Sequence, residues 1–393
     1  MEKNNQKPRL ALDFRPLQTG FRGHAHRGIG SYARHIIQLV QLHDNEFDIY
    51  YLIDPDLAIP FGIPESHTIK IFKSWKAQRT GGLDPLSRNF LRPLADHQID
   101  LVHFMCHSDA SIFLRTPYIV TLHDLIPQLH DSRKYSLRAR VMRSLLFWLE
   151  GRILHRASRV ITVSHHSASD LRAFYDIPSE IIDVTHLAPA ITLERRPEPN
   201  LPCNNGLAGI APYFLSVGGI DENKNTDRVI QAFADLRKDH PNIYFVIAGK
   251  SENTARYKQL DALIRQLGIE NAVVFTGYIP EPKLQALYSG CIALVYPSLY
   301  EGFGLPVIEA MASGAAVITS QCGSLHEIAN SAALYVDPLD FRSIRSAMEI
   351  VLINQSRRKE LIKAGQSNAT RFSWSETVSK TIISYRNAIS ARN

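Results

Sequence analysis

Short runs of apolar residues alternate along the chain with longer segments in which apolar positions recur every three or four residues. Runs of the first kind suit buried strands, and segments of the second kind suit helices that bury one face. In the first half, six runs are predicted to be strands: LALDF (10–14), DIYYLI (48–53), IKIF (69–72), LVHF (101–104), YIVTLHD (118–124) and VITVS (160–164). This alternation predicts an α/β fold with helices packed on a parallel sheet.

A segment rich in proline, glycine and asparagine interrupts the pattern at 187–212, as is typical of a linker between domains. The alternation then resumes with six more predicted strands: YFLSVGG (213–219), YFVIAGK (244–250), VVFTGY (273–278), IALVYPS (292–298), AVITS (316–320) and ALYVDP (333–338). The pattern predicts two α/β domains, 1–190 and 213–371, with a linker at 191–212. The tail 372–393 is predicted to form a helix with Ser373 or Ser375 as its N-cap.

Length and composition agree with this division. A chain of 393 residues suits two domains of roughly 190 residues each. No apolar run approaches the roughly 20 residues of a membrane-spanning helix, and the polar start MEKNNQKPRL lacks the apolar core of a secretory signal. The four cysteines are far apart and form no C-x-x-C pair, which favours a reducing compartment and argues against a cysteine metal site. We therefore expect a cytoplasmic protein.

Positive charge is concentrated at 133–159, where eight Lys or Arg residues accompany a single acid, Glu150. The arginines are interspersed with Leu145, Leu146, Phe147, Trp148 and Leu149, an arrangement typical of helices that lie at a membrane surface. This stretch is predicted to touch anionic lipid at the inner face of the cell membrane. The alternative is a core helix whose apolar residues face the sheet and whose arginines are merely solvated.

The segment EGFGLPVIE (301–309) carries the strongest chemical signal in the chain. A predicted strand precedes it and a predicted helix begins within it, with a glycine-rich turn between them. Glycine lets the backbone approach a ligand closely, and the amino end of a helix presents N–H groups and a positive dipole end. This combination predicts a phosphate site flanked by two carboxylates, Glu301 and Glu309.

In these residues the chain resembles the retaining glycosyltransferases of family 4, whose signature is two glutamates eight positions apart. The resemblance continues through AMASGAAVITSQCGSLHEI (310–328). It implies the GT-B fold, in which two Rossmann-like domains face each other across a cleft and a terminal helix crosses back to the first domain. It also implies that Glu301 lies against the donor sugar, that Glu309 binds the ribose, and that the backbone between them meets the diphosphate, through Gly302, Phe303, Gly304 and Leu305. A helix acid that only complements the dipole is the alternative for Glu309.

The resemblance extends to the loop after the first strand of the second domain. Lys224 is expected there to bind the diphosphate, with an ordinary surface lysine as the alternative. The family often has an Arg-Lys pair at this point, whereas this chain has Asn223-Lys224, so the arginine is missing. Gly277 and Tyr278, at a later strand end, are expected to hold the nucleotide base, or else to be turn residues without a ligand.

Three features of the first half are also expected to face the donor or the acceptor. Gly28 and Gly30 match a G-x-G element of the family that approaches the phosphate, with Gly30 and Ser31 starting a helix. The basic loop 15–27 could hold Arg15 or Arg22 near the substrate. His123 and Asp124 match an H-D-L-x-P element, and an imidazole beside a carboxylate suits proton transfer near neutral pH. A histidine satisfied by backbone is the alternative for His123. Ser164, at a further strand end, is expected to line the cleft.

Together these features predict a retaining hexosyltransferase that transfers a sugar from a nucleotide donor to a hydroxyl of a growing, lipid-linked glycan. The H-D-L-x-P element favours mannose from GDP-mannose, with dTDP-rhamnose and UDP-sugars as alternative donors. No cofactor, metal or nucleic-acid partner is expected. A nucleotide-sugar 2-epimerase and a non-catalytic nucleotide-binding relative are the alternatives from other functional classes.

Overall fold

The computed structural model describes residues 7–22, 28–71, 86, 88–125, 137–190, 212–249 and 254–391. The chain divides into two units: the first comprises Met1–Leu187 and Trp374–Asn393, and the second comprises Ala188–Ser373. The predicted linker at 191–212 lies outside the described residues except for Pro212. Each unit has its own sheet and its own core.

The described part of the first unit contains a seven-stranded parallel sheet in the order β3-β2-β1-β4-β5-β6-β7. Its strands are β1 (Arg9–Asp13), β2 (Asp48–Ile53), β3 (Thr68–Lys70), β4 (Leu101–Phe104), β5 (Tyr118–Leu122), β6 (Arg159–Thr162) and β7 (Ile182–Val184). Strands β4 and β5 are buried throughout because helices cover both faces of a parallel sheet. The six runs predicted as strands in this half all contain strands.

The longer helices of the first unit are α1 (Gly28–Val40), α2 (Leu91–Asp96), α3 (Leu137–Arg156) and α4 (His165–Tyr175). In α1 the residues Tyr32, Ala33, Ile36, Ile37 and Val40 are buried, which is the spacing of a single helical face. Helix α1 begins at Gly28, two residues earlier than predicted, so Gly30 and Ser31 lie inside its first turn.

The second unit repeats the design, and its described residues form six parallel strands in the order β10-β9-β8-β11-β12-β13. They are β8 (Tyr213–Val217), β9 (Tyr244–Ala248), β10 (Val273–Gly277), β11 (Ala293–Tyr296), β12 (Ala316–Thr319) and β13 (Leu334–Tyr335). Alternate residues belong to two apolar clusters: Ala293 and Val295 to one, Leu294 and Tyr296 to the other. This alternation is expected where successive side chains point to opposite faces of a sheet.

The described residues of the second unit also form seven α-helices: α5 (Thr226–Asp239), α6 (Ala255–Leu267), α7 (Glu281–Gly290), α8 (Leu305–Ala312), α9 (Leu325–Ala329), α10 (Phe341–Ile353) and α11 (Gln355–Ala369). No described helix of the chain is long and apolar enough to cross a bilayer. Several predicted strands extend beyond the carboxyl ends of the observed ones. For example, residues 297–298 after β11 were predicted as strand but belong to a loop.

A final helix, α12 (Trp374–Ser390), packs in the first unit although it follows the second in sequence. Trp374 stacks on His35 with ring centroids 4.1 Å apart, and the buried Tyr385 hydroxyl lies 2.7 Å from His103 Nδ1. Burial lowers the pKa of His103 to about 3, so this imidazole is neutral. Because the helix begins at Trp374, Ser373 occupies the N-cap position, and the alternative assignment of Ser375 is wrong.

Candidate active site in the second unit

The strand order of the second sheet reverses between β8 and β11, which lie side by side. In open α/β sheets ligands bind beyond the carboxyl ends of the strands at such a reversal, because the two following loops diverge there. The loop after β8 carries Lys224, and the loop after β11 carries Glu301. The topology therefore brings together two residues that are 77 positions apart in sequence.

Lys224 and Glu301 form an ion pair, with Lys224 Nζ 2.7 Å from Glu301 Oε1. A third side chain, Tyr296 at the end of β11, completes a triangle: its hydroxyl is 2.6 Å from Nζ and 2.9 Å from Oε1. Asn223 Nδ2 donates to the Tyr300 carbonyl at 3.2 Å and lies 3.5 Å from Glu301 Oε1. The asparagine that replaces the expected arginine therefore joins the two loops.

Burial and charge together fix the protonation state of Lys224. Burial by itself lowers the pKa of this amine, but the adjacent Glu301 carboxylate raises it, and the net shift is upward. Burial also favours the uncharged form of the Tyr296 phenol, and for a phenol this raises the pKa. At neutral pH the triangle thus contains an ammonium and a neutral phenol beside the carboxyl group of Glu301.

The loop that carries Lys224 is held by the neighbouring residue Asn225. This residue is buried and adopts a left-handed conformation, with φ 59°. Its Nδ2 donates to the carbonyls of Pro297, at 3.1 Å, and Pro338, at 2.6 Å. Asparagine tolerates this conformation better than most residues, and its amide here ties the loop to two others. The position of the Lys224 backbone is therefore set by buried hydrogen bonds.

The turn between Glu301 and α8 is shaped by two glycines and one serine. Gly304 has φ 104°, which favours glycine, and precedes the first residue of α8. A Cβ on Gly323 would lie 2.6 Å from the Glu301 carbonyl oxygen, so only glycine fits there without movement. The buried Ser324 hydroxyl donates to the carbonyls of Glu301 and Phe303 at 3.0 and 2.7 Å.

Helix α8 begins directly after this turn. Among the described residues no side chain caps it, and its amino end directs the positive end of the helix dipole toward the turn, an arrangement that favours an anion. Leu305 is its first residue, while Gly302 and the buried Phe303 precede it in the turn. These are the residues at which sequence analysis predicts the diphosphate.

Glu309 lies in the second turn of α8, as the sequence predicts. Its Oε2 accepts a hydrogen bond from the Tyr288 hydroxyl at 3.0 Å. Burial raises the pKa of Glu309 to about 7, although the bond from Tyr288 opposes this shift. A carboxyl group with this pKa exchanges its proton near neutral pH, and it can accept hydrogen bonds from a diol when it is ionised.

Gly277 and Tyr278 occupy the end of β10. Gly277 has φ 65°, and its carbonyl accepts a hydrogen bond from Gly249 N at 3.0 Å, which links the ends of β9 and β10. Tyr278 is 60% exposed. Both residues therefore lie at the end of a strand, as the sequence indicates, and their contact with the base stays a prediction.

In the first unit, His123 and Asp124 follow β5 and are both partly buried. His123 Nε2 lies 2.8 Å from the Met105 carbonyl, and because a carbonyl only accepts, Nε2 carries the proton. The ring also packs edge-on against Tyr32, with centroids 5.0 Å apart. One ring nitrogen of His123 is therefore hydrogen-bonded to the backbone, as the alternative for this residue predicts. Gly28 is exposed and Gly30 is buried at the start of α1.

Two expectations for the first unit are corrected. Arg15 is not a loop cation near a ligand: it is 3% exposed and forms two hydrogen bonds with Asp13, at 2.7 and 2.8 Å. Arg22, the alternative to Arg15, pairs with Asp109, with Nη1 3.2 Å from Oδ1, and its position near the substrate stays a prediction. Ser164 is the N-cap of α4, where its hydroxyl accepts from Ser167 N at 3.0 Å, and it is fully buried. Residues 23–27 of the basic loop lie outside the described residues.

Three residues of the site were not predicted from the sequence: Tyr296, Ser324 and Tyr288. Tyr296 lies in an apolar run, so its ring suggests only a core residue, and its hydroxyl gives no signal until Lys224 and Glu301 are placed in space. Ser324 follows a glycine after a predicted strand, which is a usable signal for a turn. Tyr288 carries no local signal, because its partner Glu309 is 21 residues away on another helix.

Two family models match the chain. The one described as glycosyltransferase family 4 matches residues 26–188, and the one described as glycosyl transferases group 1 matches residues 201–368. The O-antigen chain mannosyltransferase B of Escherichia coli is 30% identical over 278 residues, which are 68% of this chain and 70% of the relative. The serotype-specific mannosyltransferase WbdA of the same species is 27% identical over 268 residues, which are 66% of this chain but only 32% of the relative.

Solved structures resemble the chain along nearly its whole length. The sucrose-phosphate synthase of Thermosynechococcus elongatus superposes with a TM-score of 0.76 and 21% identity over 98% of this chain and 100% of that one. The Anabaena protein HepE, solved in complex with UDP and glucose, gives 0.72 and 16% over 97% and 100%. At such identities the likeness establishes the fold alone, and the family follows from the sequence matches. The chain therefore has the GT-B fold and belongs to glycosyltransferase family 4.

Proposed function

We propose that the chain is a retaining hexosyltransferase that moves mannose from GDP-mannose to a hydroxyl of a growing, lipid-linked glycan. The observation that carries this proposal is the Lys224–Glu301 pair at the strand reversal, followed by a glycine turn and by Glu309 on α8. The names of the two curated relatives, both mannosyltransferases, support mannose as the sugar.

In this proposal the second unit binds the donor. Glu309 accepts hydrogen bonds from the ribose hydroxyls. Lys224, the turn 302–305 and the positive end of the α8 dipole stabilise the diphosphate as it leaves with negative charge. Glu301 faces the sugar. Gly277 and Tyr278 contact the base. In many enzymes a metal ion stabilises the negative charge of a diphosphate. Here the charge on Lys224 and the positive end of the helix dipole have that role, so we expect transfer without a metal or another cofactor.

The first unit contributes the acceptor side of the reaction. We assign Gly28 and Gly30, at the start of α1, to the approach toward the donor phosphate. His123, whose Nε2 is committed to the Met105 carbonyl, is assigned with Asp124 to the sugar or the acceptor hydroxyl. Retention of configuration follows from the family resemblance and is part of the proposal.

The first test is a thermal-shift comparison of GDP, UDP, dTDP and ADP. A ligand that binds only the folded state raises the apparent stability, so the preferred nucleotide gives the largest shift. Transfer from the matching nucleotide sugar is then measured with and without EDTA, and the anomeric configuration of the product is read by NMR. GDP as the strongest ligand, activity in EDTA and a retained anomer are expected. A product of inverted configuration would contradict the assignment as a retaining enzyme.

Other outcomes of the same experiment identify the alternatives. A preference for UDP or dTDP would indicate a UDP-sugar or dTDP-rhamnose donor, and the structure of HepE with UDP makes UDP a serious competitor. Nucleotide binding without transfer would indicate a non-catalytic relative. Conversion of the sugar while it is still attached to the nucleotide would indicate an epimerase, which membership of a glycosyltransferase family argues against.

We also propose that the chain works in the cytoplasm and docks on anionic lipid through α3. Val141, Leu145 and Trp148 follow each other at helical spacing and are 63%, 44% and 54% exposed. Arg138 and Arg152 fall on the same side of the helix by the same spacing, and both are exposed. An exposed apolar stripe flanked by arginines suits a bilayer surface that carries negative charge. Such docking would bring the first unit to a lipid-linked acceptor.

A further inference from the structure

The hydroxyl of Tyr296 lies between the two charged residues of the site and bonds to both of them. We propose that Tyr296 is a positioning residue for glycosyl transfer: its hydroxyl fixes Glu301 and Lys224 relative to each other, so that one carboxylate oxygen and one ammonium proton remain directed to the substrate. This inference rests on the proposed function.

The hydrogen bonds of the triangle have only one possible direction. A lysine ammonium has no acceptor, and an ionised carboxylate has no donor. The Tyr296 hydroxyl therefore accepts from Lys224 Nζ at 2.6 Å and donates to Glu301 Oε1 at 2.9 Å. The ring is 1% exposed in the apolar cluster on one face of the sheet, so it cannot swing away. Tyr296 thus provides a rigid reference point for two side chains that have flexible stems.

The triangle leaves specific atoms of both charged groups for a ligand. Every hydrogen bond that the described residues give to the Glu301 carboxylate goes to Oε1, from Lys224, Tyr296 and Asn223. Oε2 is thus left for a substrate hydroxyl. The described residues take two of the three donors of Lys224, which leaves one N–H for a phosphate oxygen.

Without the hydroxyl, the two charges would still attract each other but would have fewer constraints. The Lys224 stem could then rotate about Glu301, and the carboxylate could turn so that Oε1 and Oε2 exchange places. Positioning of this kind affects the transition state more than the binding of a bare nucleoside diphosphate. A purely structural tyrosine would instead affect only stability.

The variant Tyr296→Phe tests this role, and Tyr213→Phe is its matched control. Tyr213 is also 1% exposed on the same sheet, but its hydroxyl donates to the Leu287 carbonyl at 2.8 Å, away from the triangle. We expect Tyr296→Phe to lower kcat by about 10- to 100-fold, the usual range for a lost hydrogen bond to a charged group. The donor KM and the dissociation constant of the nucleoside diphosphate should change by less than about threefold. Tyr213→Phe should lower the Tm without lowering kcat.

A kcat for Tyr296→Phe within about twofold of the unmodified chain would overturn the positioning role. A fall in nucleotide affinity as large as the fall in kcat would also overturn it, because the tyrosine would then be part of the binding surface. The triangle is tested without substrate by urea denaturation of Tyr296→Phe, Lys224→Met and the double variant. Non-additive shifts of the midpoint are expected, and additive shifts would show that the residues do not interact.

The same experiment separates this inference from the proposed function. If the unmodified chain transfers no sugar from any of the candidate donors, the proposed function fails, and a role in positioning for that reaction fails with it. If the unmodified chain is active and Tyr296→Phe is equally active, only the inference fails.

Discussion

At the scale of single residues, Lys224 combines a long flexible stem with a fixed environment of Glu301 and Tyr296. We expect Lys224→Ala to weaken nucleoside diphosphate binding by about 10- to 100-fold, because the phosphates lose a charged donor and the Glu301 carboxylate loses its counter-charge. Binding of the free nucleoside should change little. Calorimetry with GDP and guanosine, or the base that the thermal screen selects, measures both affinities.

Lys238→Ala provides the matched control for this variant, because it removes the same charge from the same unit. Lys238 is 75% exposed and pairs with Asp235 on α5. If Lys224→Ala weakens nucleoside and nucleoside diphosphate equally, Lys224 supports the fold of the site and does not bind the phosphates.

A second prediction at this scale concerns the protonation of Glu309. Its pKa is about 7 in the folded chain, above the ordinary value of 4.5, because of burial. The folded state therefore holds this proton more tightly than the unfolded state does. This tighter proton binding contributes to the free energy of unfolding. The contribution is fully present below about pH 4.5 and is lost as the pH rises through 7.

Glu309→Gln should remove this pH dependence. On going from pH 5 to pH 8, the unmodified chain should lose on the order of 1–3 kcal/mol of unfolding free energy through this residue, and the variant should not. Urea denaturation of both proteins at the two pH values, without nucleotide, measures the difference. Glu360→Gln is the control, since Glu360 is 61% exposed. A Glu309→Gln curve that keeps the same pH dependence would show that Glu309 is not the responsible group.

At the scale of elements, α3 tests the proposed membrane contact. The Arg152 guanidinium lies 5.8 Å from the centre of the Trp148 ring, so charge and apolar surface adjoin on this helix. We expect sedimentation with anionic vesicles at low salt and weaker sedimentation at high salt or with neutral lipid. Arg138→Ser and Arg152→Ser should each weaken binding roughly fivefold, and Trp148→Ser should weaken it at any salt concentration.

Arg357→Ser is the control for these charge changes, because Arg357 is 45% exposed on α11 in the second unit. Vesicle binding that does not depend on lipid charge, or that Arg357→Ser weakens equally, would contradict the membrane contact. Helix α3 would then be an ordinary helix with solvated arginines.

The sequence predicted the elements better than their connections. The strands were predictable because fully buried parallel strands are unbroken apolar runs, as in YIVTL of β5. Strand β7 was missed, because IDV at 182–184 is short, only partly buried and has a charged centre. The contacts of Glu301 with Lys224 and Tyr296 depend on the strand order, which no local pattern contains. The motif thus indicated which residues belong to the site, but not the hydroxyl between them.

At the scale of the whole molecule, the chain leaves the first unit at Leu187 and returns to it at Trp374. Helix α12 then supplies buried residues to the first unit, including Val378, Ile382 and Tyr385. Removal of residues 374–393 should therefore expose apolar surface in the first unit and leave His103 without its Tyr385 partner. The second unit, 188–373, should keep its own core.

Limited proteolysis with mapped fragments measures this difference. We expect cleavage of the shortened chain within 7–187 at protease concentrations that leave the full chain intact, while a fragment covering 213–373 persists. A milder variant, Tyr385→Phe, removes only the hydroxyl and should cost about 1–3 kcal/mol of stability. Equal cleavage of both units would show that α12 supports the molecule as a whole.

The late return of α12 also has a consequence for synthesis of the protein on the ribosome. Between Leu187 and Trp374 the ribosome must add the 186 residues of the second unit, which takes about 10–40 s at 5–20 residues per second. Throughout that interval the first unit lacks α12, whereas all residues of the second unit precede α12 in the chain. We therefore expect the apolar surface that α12 covers in the first unit to stay exposed on the nascent chain, as a target for chaperones, until α12 has been synthesised.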